Sequence, residues 1–526
     1  MYWRKRRKED RQDFIQGNRR RVNENLVERM KSPKGLMFLS SIEDEGRAVN
    51  SLHQRPALTF LTPEGKERIH RAALGILSEI GMQVMHEEAL DLLMHAGCRG
   101  EQEKRVKIPG KIVEEAMRSA PANISVYDRD GEPAMELGAD RSYFGTGSDL
   151  LYSLDPDGRG RHRSLLQDVR RGALVCDALS NIDFIMSFAH PSDVPPRKAY
   201  LKSFQAMSES SKKPIVCTAE GRGDLAKMWE ISLVLREAET EARNRPYFIH
   251  YAEPTSPLKH PFDSVDKLLF CAEKGIPLVY SPAPMAGATA PITIPGHVAQ
   301  GLAECLCGLV IHQLKRRESP FIMGIGPAVM DMTTAQSSYN APEYSLAYVA
   351  YVEMSHHYNL PSWGYAGTSD SQVPDEQASF EAGMCTLLSS LTGANLNHDV
   401  GYLDFGRTGS LEMIVLSDEM IGMMRRLRRG MFVDEETLAG DVIREAGLKG
   451  DFLSHVHTMK HFSEIQWRPS LINRKGYDRW REGGSKTLLE RARERLHGIL
   501  ETHQPLQIPA EKAGAVSELV ERYEPP

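Results

Sequence analysis

From residue 142 onward the chain alternates between two kinds of segment. Short apolar runs rich in β-branched or aromatic residues fall at Ser142–Gly145, Ile182–Ala189, Pro214–Ala219, Tyr247–Ala252, Pro277–Tyr280, Phe321–Gly324, Ser362–Ala366 and Asn395–Asp399. Each is followed by a longer segment with apolar residues three and four apart. These lie around Leu165–Ala178, Ala199–Ser210, Leu225–Ala238, Asp263–Lys274, Pro295–Leu314, Pro342–Tyr358, Pro374–Leu391 and Leu411–Arg429. The short runs read as buried strands and the amphipathic ones as helices. Pro295, Pro342 and Pro374 stand where helices should begin, a position at which a missing N–H costs nothing. Eight such units over about 290 residues predict an α/β chain built on a (β/α)8 TIM barrel, residues 142–430. The competing doubly wound sheet would carry a GxGxxG turn after a strand. None does, and Gly324-Ile-Gly326 lacks the third glycine.

Upstream, Thr62 to Ala120 shows helical spacing in three segments. Gly81 and Gly97 close the first two, as helix C-caps do. A turn-rich, strand-like stretch follows, so residues 56–141 are expected to form an N-terminal helical region. Residues 431–526 are expected to form a C-terminal helical extension. The first 55 residues read as a basic, poorly ordered arm.

Composition narrows the class. With 41% hydrophobic residues the chain can bury a core, which excludes global disorder. No apolar run approaches the ~18–20 residues of a membrane span, and no apolar stretch follows the basic N-terminus as in a secretory signal. The seven cysteines are scattered and never spaced CxxC, so they read as reduced core thiols of a cytoplasmic protein. The net charge of −6 hides an asymmetry: residues 1–34 carry twelve Lys/Arg against five acids, leaving −13 for the rest. Such an arm can touch nucleic acid, but no aromatic interleaving or nucleic-acid fold follows it, so no nucleic-acid partner is expected.

A barrel carries its chemistry at the C-terminal ends of its strands. Those ends read Phe144-Gly-Thr-Gly-Ser-Asp149, Ala189-His-Pro191, Thr218-Ala-Glu220, Tyr251-Ala-Glu-Pro-Thr-Ser-Pro257, Ser281-Pro-Ala-Pro-Met285, Gly324-Ile-Gly-Pro327, Tyr365-Ala-Gly-Thr-Ser-Asp370 and Asn397-His-Asp399. They are poor in Lys and Arg, which disfavours a phosphorylated substrate. Their carboxylates and aromatic rings suit a small cation, a quaternary ammonium in particular.

Other candidates have plain structural readings. His455-Val-His457-Thr-Met-Lys-His461 has metal-compatible spacings, but no further ligand is implied, so structural histidines and no metal are expected. Asp375 and Glu376 suit the first turn of a helix. Glu381, one turn on, faces the strand ends or forms a salt bridge. Glu304, alone in an apolar helical stretch, is either paired structurally or holds a site. There is no GxSxG, HExxH or P-loop. Cys217 with His190 or His250 has the residue types of a nucleophile pair, although a buried thiol is the commoner case.

The strand-end motifs resemble those of the trimethylamine methyltransferase family, corrinoid-dependent (β/α)8 barrels. The resemblance rests on Phe144-Gly-Thr-Gly147, Pro254-Thr-Ser-Pro-Leu258, Ala303-Glu304 with Gly308 and Gln313-Leu314, Pro342-Glu343 and Tyr358-Asn-Leu-Pro361. It continues through Ala366-Gly367, Ser369-Asp370, Val373-Pro-Asp375 with Gln377-Ala378 and Glu381, and Asp418-Glu419 with Ile421-Gly422. His457-Thr458, Trp467-Arg-Pro469 and Ala492-Arg493 complete it, spanning about residues 56–510. In the family's trimethylamine enzymes pyrrolysine lies between Ala-Gly and Ser-Asp; here that position is Thr368. Pyrrolysine's imine captures an amine with a free lone pair, which threonine cannot do. The chain is therefore similar to the branch without pyrrolysine, which demethylates quaternary amines such as glycine betaine.

The resemblance implies methyl transfer from a quaternary amine to cob(I)alamin, a corrinoid carried by a separate corrinoid protein. Cobalt then supplies the nucleophile, in keeping with the missing nucleophile motifs. Phe144, Tyr251 and Tyr365 are expected in a cationic cage. Glu304 and Asp370 are expected to add charge or hold the loops. Thr368, His398 and backbone N–H groups are available to a substrate carboxylate. A homo-oligomer is expected, with the C-terminal region contributing to it or to docking the corrinoid protein.

Overall fold

The computed structural model of the chain describes residues 53–156 and 160–524. Nearly all of the expected basic arm lies outside them. Two compact units are present, one comprising Arg55–Gly430 with Asp441–Pro526 and the other the residues up to Gln54 with Met431–Gly440. In the smaller unit, His53–Gln54 pairs antiparallel with Met431–Phe432. A short helix, Glu435–Leu438, follows, started by a reciprocal cap between Asp434 and Thr437.

The larger unit is an α/β fold of parallel strands separated by helices. Ile215–Cys217, Phe248–Ala252, Leu278–Tyr280 and Phe321–Met323 pair in parallel in that order. Trp363–Tyr365, Leu396–Val400 and Tyr143–Thr146 form a second parallel set. Single parallel bridges join Met323 to Ser362, Gly145 to Phe184 and Ile185 to Ile215. The helices between them, among them Leu166–Ala178, Ala199–Ser210, Phe262–Lys274, Pro342–His357 and Leu411–Arg428, begin and end within a few residues of the amphipathic segments read from sequence. Glu376–Thr392 starts after Pro374, with Asp375 as its N-cap accepting from the Ala378 N–H at 2.9 Å.

The expectation of a regular strand over Ile182–Ala189 is corrected. This segment makes only isolated bridges, and Phe188 near its end takes a left-handed φ of 61°. Its ring there packs where Gly172, Gly401 and Gly409 lack side chains.

Side chains on one face of the parallel strands form one apolar cluster, the inner core: Phe184, Met186, Val216, Ile249, Val279, Ile322, Trp363 and Leu396. An antiparallel hairpin, Ile124–Tyr127 with Pro133–Leu137, adds Ile124, Val126, Met135 and Leu137 to that cluster. The turn-rich stretch before residue 142 is therefore part of the inner core. Burying each large side chain contributes about 1.5–3 kcal/mol.

Helix Ile294–Lys315 matches the expected Pro295–Leu314 within one residue at each end. It is the one described helix long and apolar enough to cross a membrane by length and composition, and most of it is buried inside the protein. Nearer the N-terminus, helix Pro63–Gly75 runs on through Ile80 and stops at Gly81, whose φ is 83°. The strands Met82–Val84 and Arg105–Lys107 pair antiparallel beside it. Three residues each is too short to show a period-two pattern.

The C-terminal helices Leu488–Thr502 and Ala510–Arg522 pack onto a second, larger cluster, the outer core that also holds Leu302, Leu306 and Ile311, burying Ala492, Leu496, Val516 and Val520. The segment before them is latched by Glu419, which accepts from the Ser470, Leu471 and Ile472 N–H groups and from Ser470 Oγ. Burial opposes ionisation of Glu419, but these four donors hold its pKa below the ordinary value. Asp418 Oδ1 similarly accepts from the Asn181 N–H at 2.8 Å.

Candidate functional site

The strand Leu396–Val400 carries a register shift between Asn397 and Val400, and Asp399 within it has a φ of 73°. Neighbouring strand residues normally point to opposite faces. A bulge re-aims one of them. Here Asp399 Oδ1 lies 3.2 Å from Nε2 of His398. The other ring nitrogen, Nδ1, is hydrogen-bonded to the Gly364 carbonyl, so Nδ1 is the protonated nitrogen of a neutral ring. Space for this arrangement comes from Gly147. A Cβ there would stand 2.3 Å from the Tyr402 hydroxyl and 2.5 Å from Asp399 Oδ1.

Around this pair the structure gathers tyrosines and carboxylates. The His398 ring lies 4.1 Å, centre to centre, from Trp363, and the Tyr251 ring 5.4 Å from it. His398 and Tyr251 are partly exposed, although both sit on the inner cluster, so solvent reaches down to them. The Tyr251 hydroxyl donates to Glu253. The Asp399 charge acts on Tyr251, Tyr339, Tyr344 and Tyr402, raising each phenol after the larger effect of burial. Burial itself pushes the carboxyls of Glu253, Asp370 and Asp399 up and the imidazole of His398 down to about 4. At the rim, Asp149 stands 3.8 Å from His190 and raises its pKa. Among the described residues no Lys or Arg forms an ion pair with Asp149, Glu253, Asp370 or Asp399, the first and last meeting only His190 and His398. The hollow is negative and aromatic.

The residues expected from sequence divide between this hollow and its supports. Tyr251 and His398 lie together against Trp363. Phe144 instead joins the outer core, with the Arg425 guanidinium 5.9 Å from its ring centre. Tyr365 turns to helix Pro342–His357, where Ser345 hydrogen-bonds its hydroxyl and Tyr344 and Tyr348 meet its ring edge-on. Among the described residues neither makes a ring contact with Tyr251.

Glu304 holds a loop. It accepts from Ser256 Oγ at 2.6 Å and the Leu258 N–H at 2.9 Å, fixing the chain just after Glu253. Asp370 accepts from Ser338 and from the Tyr339 N–H, and Glu381 from Ser369 Oγ and the Asp370 N–H. Those two carboxylates tie Tyr339 to the loop after Trp363–Tyr365. Thr368 is wholly buried in that loop, and its Oγ1 has no hydrogen-bond partner. Trp363, Tyr339, Tyr402, Glu253, Asp149 and Asp399 were not singled out from sequence as site residues. For Asp399 the available signal was an acid followed by Val400-Gly401 at a strand end.

The remaining candidates lie away from this hollow. Cys217 Sγ lies 3.8 Å from His250 Nδ1, but burial pushes the thiol pKa far up and the imidazole pKa down, so the pair is no nucleophile. All seven cysteines are free and buried. His455 caps its own helix by accepting from the His457 N–H at 3.0 Å. Among the described residues no group of three or more His, Cys, Asp or Glu is placed to hold a metal ion. A separate cavity of about 380 Å³ opens beside Asp140, Leu360 and Thr392, before the strands rather than after them.

A sequence profile described as Trimethylamine methyltransferase (MTTB) matches residues 40–525. The chain belongs to this family. Trimethylamine methyltransferase MttB of Desulfitobacterium hafniense (strain DSM 10664 / DCB-2) is 30% identical over 421 residues, covering 80% of this chain and 85% of its own length. Glycine betaine methyltransferase of Desulfitobacterium hafniense (strain Y51) is 30% identical over 406 residues, covering 76% and 84%. A crystal structure of the Methanosarcina barkeri monomethylamine methyltransferase (MtmB) covers 82% of this chain and 87% of its own, at 13% identity and a TM-score of 0.48. Between Ala366-Gly367 and Ser369-Asp370 the chain carries a buried threonine, Thr368.

Proposed function

We propose that this enzyme takes a methyl group from a quaternary amine of the glycine betaine kind and passes it to the corrinoid of a partner corrinoid protein. The observation that carries the reading is the hollow itself: carboxylates and tyrosines gathered around Trp363 and His398, without a Lys or Arg ion pair among the described residues, and Thr368 where an imine would stand. Aromatic faces backed by negative charge hold a cation that offers no lone pair. A Co(I) corrinoid, when presented by its carrier, supplies the nucleophile that this chain lacks.

The protein's own share is positional. Tyr251, packed against the buried Trp363, offers its ring to the trimethylammonium group, and Asp399 and Glu253 supply charge beside it. Glu304, Asp370 and Glu381 keep the loops that carry Glu253 and Tyr339 in place, so that one N–CH₃ bond points outward. Cation binding by itself does not speed the reaction, because the charge on nitrogen fades in the transition state. Orientation and water exclusion are the useful contributions.

We also propose the finer architecture. The parallel pairings described above run from Tyr143–Thr146 through Phe184, Ile185 and the four central strands to Trp363–Tyr365, and back through Leu396–Val400. That order supports a closed (β/α)8 barrel within residues 142–430, with 56–141 and 431–526 as its flanking regions and the hollow at its C-terminal mouth. We propose a cytoplasmic location as well, which the seven free, buried cysteines suit.

The test is a panel of purified enzyme with cob(I)alamin and glycine betaine, proline betaine, carnitine or trimethylamine. Methylcobalamin is expected from at least one quaternary amine and none from trimethylamine. Turnover of any of them without a corrinoid would replace this reading with a hydrolase or lyase.

A further inference from the structure

We propose that the exposed apolar face of residues 443–465 is where a second copy of this chain docks. The proposal is independent of the methyl-transfer reading, and it starts from two helices that bury almost nothing.

Helix Val456–Ile465 buries none of its residues, and helix Gly440–Ala446 buries only Ala446. Both fall short of the roughly 12–15 residues at which a helix in water stands by itself. A short helix gains its order by covering an apolar side. Here the apolar side chains face solvent instead: Ile443, Leu448, Leu453, Val456, Met459 and Ile465 are all exposed, Leu453 by 64% and Val456 by 78%.

Local bonds join these residues into one surface. His455 Nε2 donates to Glu445 Oε2 at 3.4 Å, which ties the two helices together. The His455 N–H and the Thr458 hydroxyl both donate to the Phe452 carbonyl, at 3.3 and 2.6 Å, folding the turn that carries Leu453 onto the start of the second helix. Leu453, Val456 and Met459, each three residues from the next, follow one side of it. The surface is also held firmly. Arg426 Nε donates to the Ile465 carbonyl at 2.9 Å, and the Glu419 latch holds Ser470, Leu471 and Ile472 just beyond.

Area and placement select the occupant. The six side chains leave roughly 700 Å² uncovered, more than the ~300–600 Å² patch of an ordinary monomer and close to the ~800 Å² that each partner buries in a stable dimer. A two-fold pair sets a face against itself, so a face of one sign repels its own copy. Residues 441–465 carry three Lys/Arg and four Asp/Glu, so no single sign opposes the pairing. Placement points away from the corrinoid carrier. Arg426 lies near the end of helix Leu411–Arg428, where Arg425 donates to Asp183 and Arg428 to the Asp140 and Ser390 carbonyls, at the beginnings of the parallel strands. The hollow lies at their other ends, so a second copy can sit on this face with both hollows open.

The experiment is sedimentation velocity of the full chain from about 0.5 to 50 µM, a range that brackets micromolar dissociation. Wild type should run as a dimer or an even multiple of one. Leu453→Glu with Val456→Glu should raise the dissociation constant of the pair about a hundredfold or more and halve the mass, with an unchanged far-ultraviolet spectrum. Met459→Glu alone, on the same side, should weaken the pair at least about tenfold and serves if the double variant does not fold. Phe380→Glu is the control: that ring is 71% exposed on helix Glu376–Thr392, outside this face, and its assembly should match wild type. A wild type that is monomeric throughout would overturn the proposal. If removing residues 1–52 then lets the chain associate, the face is covered by the chain's own N-terminal segment. An assembly untouched by the glutamate changes, or one dissolved by Phe380→Glu, would also overturn it and place the contact elsewhere.

Discussion

Gly147→Ala is expected to lower methyl transfer from the enzyme's quaternary amine at least about a hundredfold, equivalent to about 2.7 kcal/mol of transition-state stabilisation. The effect is one of space rather than backbone strain. The added methyl would stand 2.3 Å from the Tyr402 hydroxyl and 2.5 Å from Asp399 Oδ1. Both neighbours belong to the hollow, so either Tyr402 leaves its bond to the Ser148 carbonyl or Asp399 leaves His398. Misplacing a substrate by about 1 Å is enough for a loss of this size. Gly383→Ala is the control, since nothing lies within 4 Å of a Cβ there and the position is inside helix Glu376–Thr392. That change should keep full activity and leave stability equal or raised by up to about 1 kcal/mol. Steady-state kinetics of both variants decide the matter, and full activity in Gly147→Ala would place Tyr402 and Asp399 outside the site.

Lys213→Met is expected to cost about 3–5 kcal/mol of stability, the scale of leaving buried polar partners unmet. The Lys213 ammonium donates to the carbonyls of Cys176 and Leu179, both at 2.6 Å, and of Ile182 at 2.5 Å. It thereby closes the C-terminus of helix Leu166–Ala178 and fixes the chain entering the Phe184 bridges, one residue before Pro214 carries it into Ile215–Cys217. Desolvation lowers its pKa. Methionine keeps much of the apolar stem and removes all three donors. A urea unfolding curve should show a clearly lower midpoint with the slope unchanged. An unshifted midpoint would mean that these carbonyls are satisfied in some other way.

These two residues also show what could be read from the chain alone. Helix and strand positions were legible because their periodicities are imposed by burial on one face, and the parallel strands and intervening helices fall within a few residues of the patterned segments. The acid-and-aromatic character of the strand ends was equally legible. Side-chain direction was harder to read. Tyr365 lies two residues after the inward Trp363, and a period-two reading turns it inward as well. The chain instead leaves the strand there toward Gly367 at φ 62°, and the ring turns to helix Pro342–His357. Asp399 is the converse case. Alternation separates it from His398, but its left-handed backbone brings the two together. A non-glycine residue with positive φ is set by its tertiary surroundings, here the space beside Gly147, and those have no signature in local sequence.

The most direct test of the function is to follow the methyl group itself. The enzyme is incubated with cob(I)alamin, free or on its carrier protein, and with glycine betaine bearing trideuterated methyl groups. A trideuteromethyl group on cobalt and one equivalent of dimethylglycine with its two remaining labelled methyls are the expected products. Dimethylglycine formed without label on cobalt, or a quaternary amine consumed equally well with no corrinoid present, would contradict methyl transfer as the reaction of this hollow.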